Sequence, residues 1–168
     1  ARVFGTTAVT AVTAQNPHAV KNVALMSAQQ TLQQIDAVHE AFEIAAIKTG
    51  MLGNLDMISA IAERLKDFPD TPIVVDPVMV ATSGASLLAA DHRPGVFADL
   101  LTAATIVTPN IPEAEALLVM QITDHQACRD AAKALSERFG VSCVLKGGHV
   151  LPAYESQISQ DWIWDGYS

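Results

Sequence analysis

The sequence predicts an α/β fold built on a mainly parallel sheet. Short apolar runs, several of them β-branched, alternate with longer segments of helical periodicity. The run Ile73-Val74-Val75 is of the kind that forms a buried strand. Several runs end in polar or glycine-bearing loops, at Thr49-Gly50-Met51, Asp76, Asn110 and Lys146-Gly147-Gly148. Right-handed crossovers would bring these strand ends to one edge. The 168 residues suffice for one domain, 1–168, with its own core.

The elements are expected in the following order. Val3 to Ala14 reads as a strand, with Gln15-Asn16-Pro17 as the turn that stops it. Val20 to Met26 is a short strand or flap. Ser27, with Gln30 three residues on, opens a helix that places Leu32, Ile35, Val38, His39 and Phe42 at helical intervals. Ile44 to Lys48 is a strand and Thr49 to Gly53 a loop. Asn54 caps a helix with Leu55, Ile58, Ile61, Ala62 and Leu65 on one face. After the strand Ile73 to Asp76, a helix is expected over His92 to Leu101, a strand over Thr105 to Thr108, and a short helix over Pro112 to Leu118. Thr123 with Gln126 starts a helix that runs to Phe139 and stops at Gly140. Cys143 to Lys146 is a strand, and Tyr154 to Gly166 reads as a hairpin with Trp162-Ile163-Trp164 in its second arm.

Composition narrows the function. Half of the residues are hydrophobic and 17% are charged, which excludes a disordered chain. A formal charge of −8 argues against non-specific nucleic-acid binding, yet a local cluster of backbone N–H groups can still take an anion. No apolar run approaches the ~20 residues that span a bilayer, so no membrane partner is expected, and no signal peptide is visible. Cys128 and Cys143 fit no metal spacing and read as reduced, buried thiols of a cytosolic, hence cytoplasmic, protein.

The strand-end loops hold the candidate chemistry. Asp76 stands at a strand end before a proline that cannot continue the ladder; it either opens a turn or meets a metal or polar substrate. Glu113 falls in a first helical turn, where an acid favours the helix; beside Asp76 it is also a candidate ligand of a hard cation such as Mg²⁺. Lys146-Gly147-Gly148 is either a plain turn or a close backbone approach to phosphate with a point charge added. There is no Walker-A motif. Gln15 either bonds within its own loop or pairs with a heteroaromatic edge, and Met51 either fills core or walls a flat ring. His149 sits near the same edge, where a turn role suits it.

Taken in order, Thr13-Ala14-Gln15-Asn16, Lys48-Thr49-Gly50-Met51-Leu52-Gly53, Asp76 to Gly84, Thr108-Pro109-Asn110-Ile111-Pro112-Glu113-Ala114-Glu115 and Leu145-Lys146-Gly147-Gly148-His149 closely resemble the hydroxymethylpyrimidine/phosphomethylpyrimidine kinases of thiamine biosynthesis. These are ribokinase-like enzymes, and the resemblance covers essentially the whole chain. It implies a three-layer α/β/α sandwich with a small β flap. It implies ATP and Mg²⁺ as co-reactants and an aminopyrimidine alcohol, then its monophosphate, as substrates. By the motif match, Gln15 binds the pyrimidine edge and Met51 and Val78 line its pocket. Asp76, Asn110 and Glu113 organise Mg²⁺ and phosphates, and Lys146, Gly147 and Gly148 form a nucleotide-side loop. Thr82 stands where many relatives carry a lysine. The family's N-terminal Asp-bearing segment and its C-terminal Gly-Thr-Gly-Cys anion-hole segment do not occur in the sequence. The expectation is therefore a domain truncated at both ends, with no catalytic base within the chain. Relatives are often dimeric, and the flap Val20 to Met26 is the candidate seal of a homodimer. Two other readings stay open: a pyridoxal-type kinase of the same superfamily, and a non-catalytic ligand-binding fragment.

Overall fold

The computed structural model describes residues 3–79, 94–147 and 160–166. In chain order its elements are β1 (Ala11–Asn16), β2 (Ala19–Leu25), α1 (Ala28–Ala41), β3 (Ile47–Thr49), α2 (Leu55–Leu65), β4 (Ile73–Val75), α3 (Pro94–Thr102), β5 (Ile106–Val107), α4 (Ile111–Leu118), α5 (His125–Phe139), β6 (Ser142–Leu145) and β7 (Trp162–Trp164). They fall into two compact units. One comprises Ala1–Ala45, Met51–Thr71 and Met79–Leu100, the other Ala46–Gly50, Pro72–Val78 and Leu101–Ser168. None of the described helices is long and apolar enough to cross a membrane.

The first unit holds an antiparallel ribbon of β1 and β2 together with α1 and α2. The expected first strand is shorter than its composition suggests. Residues 3–10 form no strand, and at Val9 side chains stand in for a strand partner: its N–H donates to Gln34 Oε1 at 2.9 Å, and its carbonyl accepts from Gln34 Nε2 and Thr31 Oγ1. The expected turn at Gln15 is also displaced. Gln15 and Asn16 belong to β1, with a register shift between Ala14 and Gln15. The turn falls at Pro17-His18, where Asn16 Oδ1 accepts from the N–H groups of His18 and Ala19, both at 2.9 Å.

The two helices of this unit follow different logic. Asn54 caps α2 by accepting from the Met57 N–H at 2.8 Å. Met57, Ile58, Ile61, Ala62 and Leu65 then form one buried stripe. In α1 Ser27 Oγ caps through the Gln30 N–H, but the apolar residues at helical spacing are only half-buried and Phe42 is exposed. Thr31 is the buried residue there, held by its bond to Val9. Arg64 of α2 fastens the pair by reaching Asp36 of α1 at 2.8 Å.

The second unit is the sheet, in the order β3-β4-β5-β6-β7. The first four strands are parallel, as predicted, and β7 is antiparallel to β6. β3 begins at Ile47 rather than Ile44. Of the expected Tyr154–Gly166 hairpin, Trp162–Trp164 forms a strand, β7, that pairs with β6, with Leu145 opposite Trp162. Residues 154–159 lie outside the described residues. β6 and β7 meet closely at Gly147, where a Cβ would stand 1.8 Å from the Gln160 carbonyl oxygen and 2.8 Å from the Trp162 ring. Its N–H donates to Asp161 Oδ1 at 2.9 Å.

Helix α5 packs on β6 and β7 and buries Cys128, Ala131, Ala132, Leu135 and Phe139. Its cap is Asp124, not Thr123: Asp124 Oδ1 accepts from the Ala127 N–H at 2.8 Å. Gly140 ends it at φ 69, where glycine has no steric penalty. Burial pushes the Cys143 thiol up to about 12; burial, aided by Asp124, pushes Cys128 up to about 11, so both stay neutral thiols.

Two positions test the local physics. Val119 ends α4 in the left-handed region at φ 56, 90% exposed, the one described non-glycine residue there. A β-branched residue pays about 1 kcal/mol for that conformation. Val119→Gly is expected to stabilise the protein by about 1 kcal/mol, read as a rise of roughly 2–4 °C in the thermal midpoint. Gly147→Ala has no room for its methyl and is expected to destabilise by about 2 kcal/mol or more, measured by urea unfolding.

Candidate active site

The parallel register builds the site. Thr49 pairs with Val75, Val75 with Val107, and Val107 with Cys143, so β3, β4 and β5 end level with one another and β6 runs two residues further, to Leu145. Asp76 extends the ladder by one bond, its N–H donating to the Thr49 carbonyl at 3.2 Å. Pro77, fully buried, then stops pairing, and the Val78 N–H folds back onto the Asp76 carbonyl at 2.8 Å. Two strands away, the Lys146 N–H donates to the Pro109 carbonyl at 2.8 Å, and Lys146 bridges Asn110 in parallel. Asp76, Asn110 and Lys146 are thereby brought together as the sequence predicted, on the carboxyl ends of the strands where α/β sheets bind ligands.

The Asp76 carboxylate is shared by two lysines. Lys146 Nζ donates to Oδ1 at 2.7 Å, and Lys48 Nζ lies 3.5 Å from Oδ2. The carboxylate is mostly shielded, its side chain 19% exposed, while Lys146 is 37% and Lys48 63% exposed. Lys48 was not among the predicted site residues. Its signal was a cation in an otherwise apolar run, one residue before the strand end. The pairing that gives it meaning is lateral and cannot be read along the chain.

Asn110 and Glu113 open α4 as a reciprocal capping box. Glu113 N–H donates to Asn110 Oδ1 and Asn110 N–H to Glu113 Oε2, both at 2.8 Å. Glu113 is buried. The helix-stabilising role considered for this acid is thus filled. Among the described residues no group of three or more His, Cys, Asp or Glu side chains could hold a metal ion. Asp76 as a single shielded carboxylate instead fits Mg²⁺ of the kind held largely by water and substrate phosphates. At the end of β3, the buried Thr49 hydroxyl has no hydrogen-bond partner among the described residues.

The remaining predicted residues divide as follows. Gln15 is exposed on β1, and Met51 accepts a hydrogen bond at its carbonyl from Thr10 Oγ1 at 2.7 Å; both belong to the first unit. Val78, half-buried, belongs to the second. Gly147 has a packing reason to be glycine, its contact with Gln160 and Trp162. Gly148, His149 and Thr82 lie outside the described residues. A recess of about 440 Å³ in the first unit, lined by Asp56, Glu63, Lys66 and Asp99 among others, contains none of the predicted site residues.

The phosphomethylpyrimidine kinase family model matches residues 1–168. The chain is 43% identical over 161 residues to the hydroxymethylpyrimidine/phosphomethylpyrimidine kinase of Haemophilus influenzae, covering 96% of this chain and 60% of that protein. It is 41% identical over 164 residues to the Bacillus subtilis enzyme of the same name, covering 98% and 59%. The chain thus spans about three fifths of these curated relatives. Among solved structures, phosphomethylpyrimidine kinase from Clostridium difficile superposes with a TM-score of 0.81 at 30% identity, over 96% of this chain and 72% of that one. An ADP complex of Bacillus subtilis pyridoxal kinase superposes with a TM-score of 0.82 at 26% identity, over 99% and 62%. The expected ribokinase-like α/β fold is borne out, and the chain belongs to the phosphomethylpyrimidine kinase family.

Proposed function

We propose that the protein transfers the γ-phosphoryl group of ATP to the hydroxymethyl group of 4-amino-5-hydroxymethyl-2-methylpyrimidine, and then to its monophosphate, in thiamine diphosphate biosynthesis. The observation that carries this reading is the Asp76 carboxylate set between two lysine ammoniums at the carboxyl ends of parallel strands. Two cations around one anion leave net positive charge in a chain of formal charge −8, which suits a polyphosphate. The names of the relatives point to the same substrate.

The roles follow from the chemistry of each group. Phosphoryl transfer depends chiefly on positioning and electrostatic stabilisation. Lys146 supplies a point charge to the phosphates, and the N-terminus of α4 at Asn110 adds the positive end of the helix dipole. Asp76, with Glu113 behind Asn110, is assigned to Mg²⁺, which when bound would neutralise charge on the transferred group. Gly147 and Gly148 are assigned to the nucleotide-side loop, and Gln15, Met51 and Val78 to the pyrimidine. No described residue is assigned as the base. The same reading includes a cytoplasmic homodimer sealed by the flap Val20 to Met26, where Leu25 is exposed.

A kinase assay on the full-length protein tests it. With Mg-ATP and the aminopyrimidine alcohol, turnover is expected to exceed that with pyridoxal. Asp76→Asn is expected to lower kcat/KM by about 10²–10³-fold. Absence of turnover in a folded full-length sample, or a silent Asp76→Asn, would contradict the assignment; faster turnover of pyridoxal would move it to the pyridoxal-type reading.

A further inference from the structure

The two lysines on Asp76 are not equivalent. Lys48 stands on β3, directly beside β4, while Lys146 follows β6 and reaches Asp76 past the intervening β5. They take different oxygens, Lys146 on Oδ1 at 2.7 Å and Lys48 toward Oδ2 at 3.5 Å. Lys146 can therefore leave without displacing Lys48. The carboxylate it would leave behind is mostly shielded from water, and an uncompensated shielded anion is costly. Lys48 sits just beyond full hydrogen-bond contact with Asp76 Oδ2, on an exposed side chain.

We propose that Lys48 is a positioning residue of the phosphate-transfer site: it holds Asp76 through Oδ2 and keeps that carboxylate compensated while Lys146 turns from Oδ1 to an incoming nucleotide phosphate. The inference rests on the kinase reading above. It distinguishes Lys48 from a surface charge, which would have no effect on ligand binding, and from a direct phosphate contact, which would act whether or not a divalent cation is present. A Mg²⁺ ion, when bound at Asp76, would supply compensating charge there, so the need for Lys48 would be greatest without it.

The test compares full-length wild type with Lys48→Met, Lys48→Gln and Lys48→Arg. ADP affinity is measured by calorimetry with EDTA and again with excess Mg²⁺, beside the thermal midpoint of each unliganded protein. Lys48→Met and Lys48→Gln are expected to weaken metal-free ADP by about fivefold to tenfold. The loss should fall to within about twofold in Mg²⁺, and unliganded midpoints should move by no more than about 2 °C. Lys48→Arg should restore metal-free binding to within about twofold of wild type. A silent Lys48→Met, an equal loss with and without Mg²⁺, a loss explained by unfolding in both neutral variants, or failure of arginine to rescue would overturn the role. Wild type that binds no ADP in either condition would overturn the kinase reading itself, whereas binding by wild type with silent variants overturns only the assignment of Lys48.

Discussion

Parallel strands in a common register set the ends of β3, β4 and β5 level with one another, with β6 running two residues past them, and the rest of the site depends on that alignment. Residues 49, 75, 107 and 143 pair in one row. A slip of one residue would turn every side chain on the slipped strand to the opposite face. Asp76 would then point away from both lysines. The row is held by backbone bonds that continue past it, Asp76 to Thr49 on one side and Lys146 to Pro109 on the other. It is backed by buried side chains, Val75, Val107, Cys143 and Leu145. Burial fixes the register, the register fixes the strand ends, and the strand ends place the charges.

The charges explain why this edge suits an anionic ligand. Asp76 alone would repel a polyphosphate. With Lys146 at 2.7 Å and Lys48 at 3.5 Å it becomes the centre of a net positive cluster whose members are partly shielded from water. Proline contributes by subtraction: Pro77, fully buried, cannot donate to the ladder, so pairing of β4 stops just past Asp76. The capping box at Asn110 and Glu113 then starts a helix at the same level.

Much of this was legible along the chain because it is local. Asn54 and the stripe from Ile58 to Leu65 declare α2; Gly140 declares the end of α5; Val75-Asp76-Pro77 declares a strand that ends in a carboxylate. What was not legible depends on residues distant in sequence. Residues 3–10 carry strand-like composition, yet the Gln34 amide takes the place of a strand partner at Val9. Trp162–Trp164 reads along the chain as a hairpin arm, and its pairing with β6, which makes Gly147 a matter of packing against Gln160, is visible only in space. Lys48 lay within a quoted motif, but its meaning came from the lateral position of Asp76. At Thr123 the spacing to Gln126 suited a capping box, and the adjacent Asp124 took the cap with its own carboxylate.

The central claim is that the strand-end cluster around Asp76 receives the nucleotide phosphates. A crystal structure of the full-length protein with Mg²⁺ and a non-hydrolysable ATP analogue tests it most directly. The account predicts a phosphate oxygen within about 3 Å of Lys146 Nζ, with the Lys146–Asp76 pair opened from its present 2.7 Å. A nucleotide bound elsewhere, with that pair intact, would contradict it.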